Sequence, residues 1–212
     1  MKKFLFNRFT LLILLLLLFI FVSALSYATN VSAHLASGVF RLHVIANSDA
    51  DFDQNLKYIV RDNVIEYMKT ICDEGISRQD YINIAYNNID NIKKVAQDTI
   101  FNNGYNYTVN VSIGNFKFPT KTYGDVTFPA GFYDALRIEI GNAEGQNWWC
   151  VMFPPLCFVD VTSGIVPEES KETLKNDISA EEYDLITSNN SEVQFKFKLV
   201  EIFQNWGLVA NK

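Results

Sequence analysis

Several short segments of the chain alternate apolar with polar residues, a period of two that is typical of β-strands. In residues 39–46, Phe40, Leu42 and Val44 alternate with polar side chains. Such a strand turns its apolar side chains to a core and its polar side chains to the opposite face. The same kind of alternation predicts further strands over residues 105–113, 126–128 and 192–198.

A β-hairpin is predicted in the middle of the chain. Residues 133–140 alternate in polarity with one slip, which suits a half-buried strand. Residues 141–147 contain two glycines and two asparagines, residue types that tolerate the positive φ angles of a chain reversal. The apolar run 148–153 then forms the returning strand, and Pro154-Pro155 ends it because proline has no backbone donor.

Two longer segments repeat apolar residues at spacings of three and four, which is typical of amphipathic helices. The first covers residues 52–71 and follows the cap residues Asn47-Ser48-Asp49, with further aspartates in its first turn. The second runs from a Ser77 cap to Asn103. The remaining segments are predicted to be loops at 114–124 and 163–170, a short helix from the Ser179 cap, and a helix over 199–206.

This order of elements predicts the fold class. One strand is followed by two helices and then mostly by hairpin-linked strands, an arrangement that favours an α+β domain. We expect a mixed or antiparallel sheet with the two long helices on one face, preceded by an N-terminal signal or anchor helix.

The N-terminus has the features of a targeting segment. Basic residues precede an unbroken apolar run over residues 11–22, and Ser26-Tyr27-Ala28 fits a small-x-small cleavage site. Counted from residue 9 to residue 25, the apolar segment reaches the length needed to cross a bilayer, so an uncleaved anchor stays open. We therefore expect a signal peptide or membrane anchor at 1–28, a linker at 29–38 and a single globular extracytoplasmic domain at 39–212.

Composition and charge limit the partners of that domain. The chain has 212 residues and a formal charge of −6, and removing residues 1–28 takes away three basic and no acidic residues, which gives −9. An acidic exported body argues against nucleic acid and anionic membrane surfaces as partners. Membrane contact is expected only through residues 1–28, if these are not cleaved.

The sequence offers little material for catalysis. With two histidines and no Cys-x-x-Cys pair, no metal site, cofactor or catalytic residue is predicted. Cys150 with His43 remains an alternative, as a thiolate and imidazolium pair. A disulfide between Cys150 and Cys157 is favoured, because the intervening Pro154-Pro155 bend can bring their α-carbons close together, while Cys72 takes no part. Two buried free thiols are also compatible with the sequence.

Polar residues on the first predicted strand suggest a binding surface instead. His43 lies on the same side as Arg41, away from the apolar residues of that strand, and so faces solvent or a loop. Trp148 and Trp149 must point to opposite faces of their strand, so one is core and the other lies on the outer face or under a helix. Arg41, His43 and the outward tryptophan are candidate anchors for a partner. The simpler interpretation is a surface histidine bonded to Asn47 or Ser48.

Two segments together resemble the stage II sporulation protein R family of endospore-forming Firmicutes. They are FRLHVIANSDADFDQNLKYIVRDNV at residues 40–64 and FPTKTYGDVTFPAGFYDALRIEIGNAEGQNWWCVMFPPLCFVD at residues 118–160. The NWWCVMFPPLCF string is the most specific part of the resemblance.

The resemblance implies an intercellular signal rather than an enzyme. In that family the protein is exported into the space between forespore and mother cell, where it triggers a membrane-embedded aspartic protease of the mother cell to process pro-sigma-E. By likeness, HVIANSD and PAGFYDALRIEIG are the hallmark surfaces, which adds Asn47 and Asp49 to the expected partner-binding residues Arg41, His43, Trp148 and Trp149. The alternatives are an exported enzyme acting on peptidoglycan and a Cys/His hydrolase of the same compartment.

Overall fold

A computed structural model describes residues 8–73, 75–157, 166 and 168–187 of the chain. The described helices are α1 (Arg8–Ser37), α2 (Asp51–Ile71), α3 (Arg78–Asn87), α4 (Ile89–Asn102), α5 (Glu168–Asp177) and α6 (Ala180–Thr187). The described strands are β1 (Phe40–Ile45), β2 (Val109–Phe118), β3 (Lys121–Tyr123), β4 (Val126–Phe128), β5 (Gly131–Ile140) and β6 (Asn147–Phe153). The predictions for residues 192–198 and 199–206 lie outside the described residues.

A mixed four-stranded sheet forms the centre of the protein, with strand order β2-β5-β1-β6. β1 runs parallel to β5 and antiparallel to β6, while β2 runs antiparallel to β5. The α+β class and the mixed sheet are thereby confirmed. The predicted hairpin is wrong, because β1 lies between β5 and β6. All six β1 residues are buried, which suits a central strand covered on both faces.

The first face of the sheet packs against α2, α3 and α4. Leu42, Val44 and Ile138 from the sheet share one apolar core with residues of the three helices, namely Leu56, Val60, Val64, Met68, Ile82, Ala85, Ile92, Ala96 and Ile100. Helix α2 matches the first predicted helix closely. Because these helices bury long apolar stripes, this core accounts for most of the helical periodicity in the sequence.

The second predicted helix is divided in two. Asn88 has non-helical backbone angles (φ −113°, ψ 15°), and its side-chain Nδ2 donates to the Ile84 carbonyl at 2.9 Å. Its side chain therefore ends α3 locally, as asparagine commonly does outside helix interiors. The Ser77 cap was predicted correctly, since its Oγ accepts from the Asp80 backbone N–H.

The second face of the sheet is partly covered by the remaining elements. Leu35 of α1, Phe118 of β2, Phe128 of β4 and Leu174 of α5 belong to a second apolar core. Helices therefore lie on both faces of the sheet, whereas two long helices on one face were expected. The slip in the β5 alternation has the same origin, because a strand buried on both faces does not need to alternate cleanly.

The segment expected to be a linker differs from the prediction. Residues 29–37 continue α1, Leu35 is fully buried, and the His34 Nδ1 atom lies 2.8 Å from Glu182 Oε2 of α6. The apolar side chains at the start of α1, from Phe9 to Val22, are exposed. Among the helices that the structure describes, none combines the length and the hydropathy needed to cross a membrane.

The remaining differences between the predicted and the observed elements are confined to short segments. β2 continues to Phe118 and β3 forms within the predicted loop at 114–124. Helix α5 begins at Glu168, inside the second predicted loop. The short helix after Ser179 is confirmed as α6, where Ser179 and Glu182 exchange backbone and side-chain hydrogen bonds in a capping box.

Candidate functional site

Arg41 is fully buried, so the expectation that it lies on the surface is wrong. Its Nη2 donates to the Tyr123 hydroxyl at 2.6 Å, and its Nε donates to the Cys150 carbonyl at 3.4 Å. The guanidinium carbon lies 4.1 Å from the Phe118 ring centroid and 4.7 Å from that of Tyr133. The alternation placed Arg41 on the correct face, but β3 and β4 cover this part of the face. Arg41 therefore acts as a packing residue.

His43 is also buried, with 5% of its surface exposed, although it lies on the predicted side of β1. Its ring stacks on Trp149 with centroids 3.6 Å apart and planes at 18°. Its Nε2 lies 2.6 Å from Asn147 Oδ1, so the bonding partner is neither Asn47 nor Ser48. Burial lowers the pKa of His43 to about 4. At neutral pH the ring is uncharged, with the proton on Nε2 facing the Asn147 oxygen.

Beyond His43 the second face of the sheet carries partly exposed side chains. Arg137 Nη2 forms a salt bridge of 2.7 Å with Glu139 Oε1, and Asn110 Nδ2 donates to Glu139 Oε2 at 2.9 Å. The Arg137 guanidinium lies 5.3 Å from the Phe116 ring centroid. We call this surface the open-face patch; its members come from β2, β5 and β6 and are Asn110, Phe116, Arg137, Glu139, Asn147 and Trp149.

The strand register makes the open-face patch continuous. His43 is paired with Arg137 of β5 on one side and with Trp149 of β6 on the other. Arg137 and Trp149 therefore flank the same buried histidine on one face of the sheet. Within the described chain, neither His43 Nδ1 nor Arg137 Nε has a hydrogen-bond partner. Glu139 and Phe116 were not among the predicted site residues, although the polar alternation of residues 133–140 places Arg137 and Glu139 on one face.

Trp148 lies on the opposite face from Trp149 and packs against α2. Its ring meets Tyr58 edge to face at 5.4 Å between centroids, and the Arg61 guanidinium carbon lies 4.4 Å from its ring centroid. Both tryptophans are half-buried. The prediction that the two indoles occupy different faces is confirmed, with Trp148 beside a helix and Trp149 beside the open-face patch.

Asn47 joins the β1–α2 loop to the β5–β6 loop. Its Nδ2 donates to Asp53 Oδ2 at 2.8 Å, and its Oδ1 accepts from the Asn142 backbone N–H at 3.0 Å. Ser48 Oγ donates to the same Asp53 oxygen at 2.6 Å. These side chains do not cap α2 directly, because its N-cap is Ala50. Asn47 is therefore placed to hold the two loops together, and the exposed Asp49 lies beside this contact.

The β5–β6 loop packs closely against the loop between β1 and α2. Gly145 is fixed by a bond from its N–H to the Ala46 carbonyl at 2.9 Å. Lys57 is buried beneath the loop and donates from Nζ to the Gln146 carbonyl at 3.1 Å and to Gln54 Oε1. Burial lowers the pKa of Lys57, with the nearby Arg61 acting in the same direction. This network positions Asn147 at the start of β6, next to His43.

Cys150 and Cys157 form a disulfide with α-carbons 5.2 Å apart, and Cys72 is a free, half-buried thiol. Cys150 is therefore in the bonded state that the Pro154-Pro155 bend suggested. Its partner residue on β1 is Leu42, and its side chain lies in the first core, whereas His43 points to the second face. The sheet thus separates Cys150 from His43, which disfavours a thiolate and imidazolium pair.

The residue types of the open-face patch are common in protein-binding surfaces. Among the described residues, no group of three or more His, Cys, Asp and Glu side chains is placed to hold a metal ion. The free Cys72 has a pKa raised to about 11 by burial and the adjacent Asp73, which makes it a poor nucleophile at neutral pH. Arginine and tryptophan on rigid strands are instead typical anchors of protein interfaces.

Comparisons with known proteins give one consistent result. The family model described as "Stage II sporulation protein R" matches residues 36–163, more than half of the chain. The curated "Stage II sporulation protein R" of Bacillus subtilis (strain 168) is 37% identical over 174 residues, which cover 76% of this chain and 78% of the relative. No solved structure matches the chain.

Proposed function

Because the chain belongs to the stage II sporulation protein R family, we propose that it is an exported intercellular signal of sporulation. In this proposal the chain leaves the forespore and acts in the space between the forespore and mother-cell membranes. There it binds a membrane-embedded aspartic protease of the mother cell and triggers that protease to process pro-sigma-E.

The open-face patch is the observation that best supports a binding function. It combines an arginine, a tryptophan and a phenylalanine on three strands of one sheet, and 31% of the Arg137 side chain is exposed. A ligand shifts a receptor between states only by the difference in its affinity for them. A rigid surface with a few strong anchors supplies such a difference, because its side chains lose little freedom on binding.

Export is supported by independent features of the chain. The basic residues before the apolar run of residues 11–22 favour translocation of everything that follows. The Cys150–Cys157 disulfide suits an oxidising space outside the cytoplasm. The acidic body, at −9 without residues 1–28, disfavours anionic lipid as the main target. Receptor recognition is therefore assigned to the folded domain.

An exported enzyme is the competing proposal. A glycan hydrolase needs two carboxyl groups flanking a bound sugar, and Glu139 is engaged by both Arg137 and Asn110. A Cys/His hydrolase needs a free thiol beside an imidazole, whereas Cys150 is disulfide-bonded and lies on the other side of the sheet from His43. Both considerations favour the signal over the enzyme.

The decisive experiment compares receptor activation with wall degradation. Full-length wild-type chain and the variants Arg137→Ala and Trp149→Ala are expressed in sporulating cells, and pro-sigma-E processing is followed with a reporter. We expect each variant to reduce activation per folded molecule tenfold or more, because an anchor residue is worth about 2 kcal/mol. The thermal midpoint should stay close to that of the wild type for Arg137→Ala and should fall for Trp149→Ala, because Trp149 stacks on the buried His43 ring. Lys94→Ala, a change on the exposed side of α4, is the matched control. Normal processing without the chain, or degradation of purified peptidoglycan by it, would contradict the proposal.

A further inference from the structure

Three segments of the chain meet at the end of the sheet where the parallel strands β1 and β5 finish. The Gly141 N–H donates to the Thr108 carbonyl at 2.8 Å, which joins the β5–β6 loop to the start of β2. The Glu144 N–H donates to the Asn47 carbonyl at 3.2 Å, which joins the same loop to the segment before α2. The surface of this end is therefore built from residues 46–56, 98–110 and 140–147.

Aromatic side chains lie at this end on the side of the helices. The Phe52 and Tyr105 rings have centroids 6.2 Å apart and planes at 12°, and the Tyr105 and Tyr107 rings have centroids 5.6 Å apart and planes at 23°. Phe52 and Phe101 each expose 52% of their surface. Two half-exposed phenylalanines beside two tyrosines form an apolar surface that a partner can bury.

Hydrogen bonds hold the tyrosines of this surface in place. Gln97 of α4 donates from Nε2 to the Tyr107 carbonyl at 2.7 Å and accepts at Oε1 from the Val109 N–H at 3.1 Å. The Tyr105 N–H donates to the Ile100 carbonyl at 3.2 Å in the turn that ends α4. A surface that is already ordered loses little conformational freedom on binding, which favours affinity.

The charged side chains around these rings are all negative. The three segments contain no lysine or arginine and five acidic residues, which are Asp49, Asp51, Asp53, Asp98 and Glu144. Asp53 is buried and Asp98 is paired with Lys94, whereas the other three are exposed. Within the described chain no salt bridge reaches these three. We call this region the acidic aromatic surface; its members are Asp49, Asp51, Phe52, Phe101, Tyr105, Tyr107 and Glu144.

The start of α2 explains only part of this arrangement. Asp49 and Asp51 complement the positive end of the α2 dipole. That role does not account for Glu144 or for the exposed phenylalanines. Lys57, one turn further along α2, is buried and offers no cation at the surface. The acidic aromatic surface is therefore complementary to a positively charged partner.

We infer that the acidic aromatic surface binds a basic segment of a partner protein, with arginine or lysine side chains on its rings and between its carboxylates. A guanidinium or ammonium group is attracted to the face of an aromatic ring, and neighbouring carboxylates add charge-assisted hydrogen bonds. A protein segment fits better than a small free cation, because the aliphatic stems of arginine and lysine cover apolar surface such as that of Phe52 and Phe101.

This surface is separate from the open-face patch. Tyr105 and Tyr107 pack against the first core, whereas the open-face patch lies on the second face of the sheet. The inference goes beyond the proposed function, because the basic partner need not be the receptor protease. Its test accordingly uses the purified chain without the receptor.

A titration of the full-length chain with a defined peptide tests the inference. The probe is a short acetylated and amidated peptide of alternating arginine and glycine, and its counterpart carries glutamine in place of arginine. We expect the arginine peptide to shift the NMR signals of the Phe52, Tyr105 and Glu144 amides, with an affinity that falls as salt is added. Equal binding of the glutamine peptide, or no shift of these amides by the arginine peptide, would overturn the inference.

Two substitutions separate the contribution of the ring from that of the charge. Phe52→Leu keeps an apolar side chain but removes the aromatic face, and Asp51→Asn removes one carboxylate with little change of shape. We expect each to weaken binding of the arginine peptide about threefold. Tyr86→Leu is the matched control, because Tyr86 is a half-exposed aromatic residue of α3 outside this surface. Equal affinities of the folded Phe52→Leu and Tyr86→Leu variants for the peptide would contradict the role of the ring.

Other occupants of the surface give different results in the same titration. Tighter binding of spermidine than of the arginine peptide would overturn the assignment to a protein segment. A soluble peptidoglycan fragment that shifts these amides, when the arginine peptide does not, would show that the rings bind a sugar instead. Because none of these measurements involves pro-sigma-E processing, failure of this inference is distinguishable from failure of the proposed function.

Discussion

Burial of Arg41 changes the expected effect of its replacement. Arg41→Ala removes a fully buried guanidinium from between Phe118 and Tyr133 and leaves the Tyr123 hydroxyl without its donor. We expect a loss of about 3 kcal/mol in the free energy of unfolding, as for other broken buried polar networks. Urea denaturation measures the change. Receptor activation should fall only in proportion to the folded fraction, and a stable but inactive Arg41→Ala variant would show that this residue contacts the partner.

His43 gives the protein a predictable dependence on pH. Its pKa is about 4 in the folded protein and about 6.5 in the unfolded chain, so between these values the unfolded state binds more protons. Stability contributed by the neutral ring is present above pH 6.5 and is lost as the pH falls towards 4. We expect the free energy of unfolding to decrease by about 2 kcal/mol from pH 7 to pH 4.5 through this residue alone. Since carboxylates also titrate there, the quantity to measure is the difference between the wild type and His43→Gln, and equal pH profiles would contradict the assignment.

The face of the strand on which Arg41 and His43 lie could be predicted from the sequence, but the exposure of their side chains to solvent could not. The alternation in residues 39–46 correctly placed Arg41 and His43 on one face of a strand. It gave no information on what covers that face, because β3 and β4 reach it from eighty residues further along the chain. The contact between His43 and Asn147 likewise depends on a strand pairing that no local pattern encodes.

At the scale of elements, the loops between strands are held by contacts that a glycine makes possible. Gly141 has φ +58°, and a Cβ at this position would lie 2.2 Å from Asn47 Oδ1. Gly141→Ala should therefore destabilise the protein through both backbone strain and collision with Asn47, by about 3 kcal/mol in total. Gly104→Ala is the control, because Gly104 has φ +85° with nothing within 4 Å of the added atom, so it should cost only about 1 kcal/mol. Thermal or urea unfolding that gives equal losses for the two variants would show that the contact with Asn47 adjusts freely.

The positions of the helices and strands along the chain were predicted better than the pairing of the strands in the sheet. The apolar stripe at spacings of three and four located α2, and the Ser77 and Ser179 caps located the starts of α3 and α6. The sequence did not reveal the break at Asn88, since the stripe continues on both sides of it. The hairpin prediction failed because adjacent strands in sequence are only the commonest neighbours in a sheet, and β1 pairs more favourably between them.

At the scale of the whole molecule, the proposed export would determine where the chain acts. We expect a variant lacking residues 2–28 to stay in the forespore cytoplasm and to lose pro-sigma-E processing, because the apolar run of residues 11–22 is the expected signal for translocation. Fractionation and the processing reporter measure the two effects. The same deletion fused to an unrelated export signal should recover activity, and processing by the cytoplasmic variant would contradict the proposed site of action.

The sequence by itself determined the features that depend on neighbours along the chain. These are the strand and helix periods, the Ser77 and Ser179 caps, the bend that brings Cys150 to Cys157, and the two segments that indicate the family. The tertiary structure decided which strand lies at the centre and which polar residues of the second face are buried. The reason is that pairing and burial depend on contacts between residues far apart in sequence, such as His43 with Trp149 and Arg41 with Tyr123, whose free energy no local pattern reports.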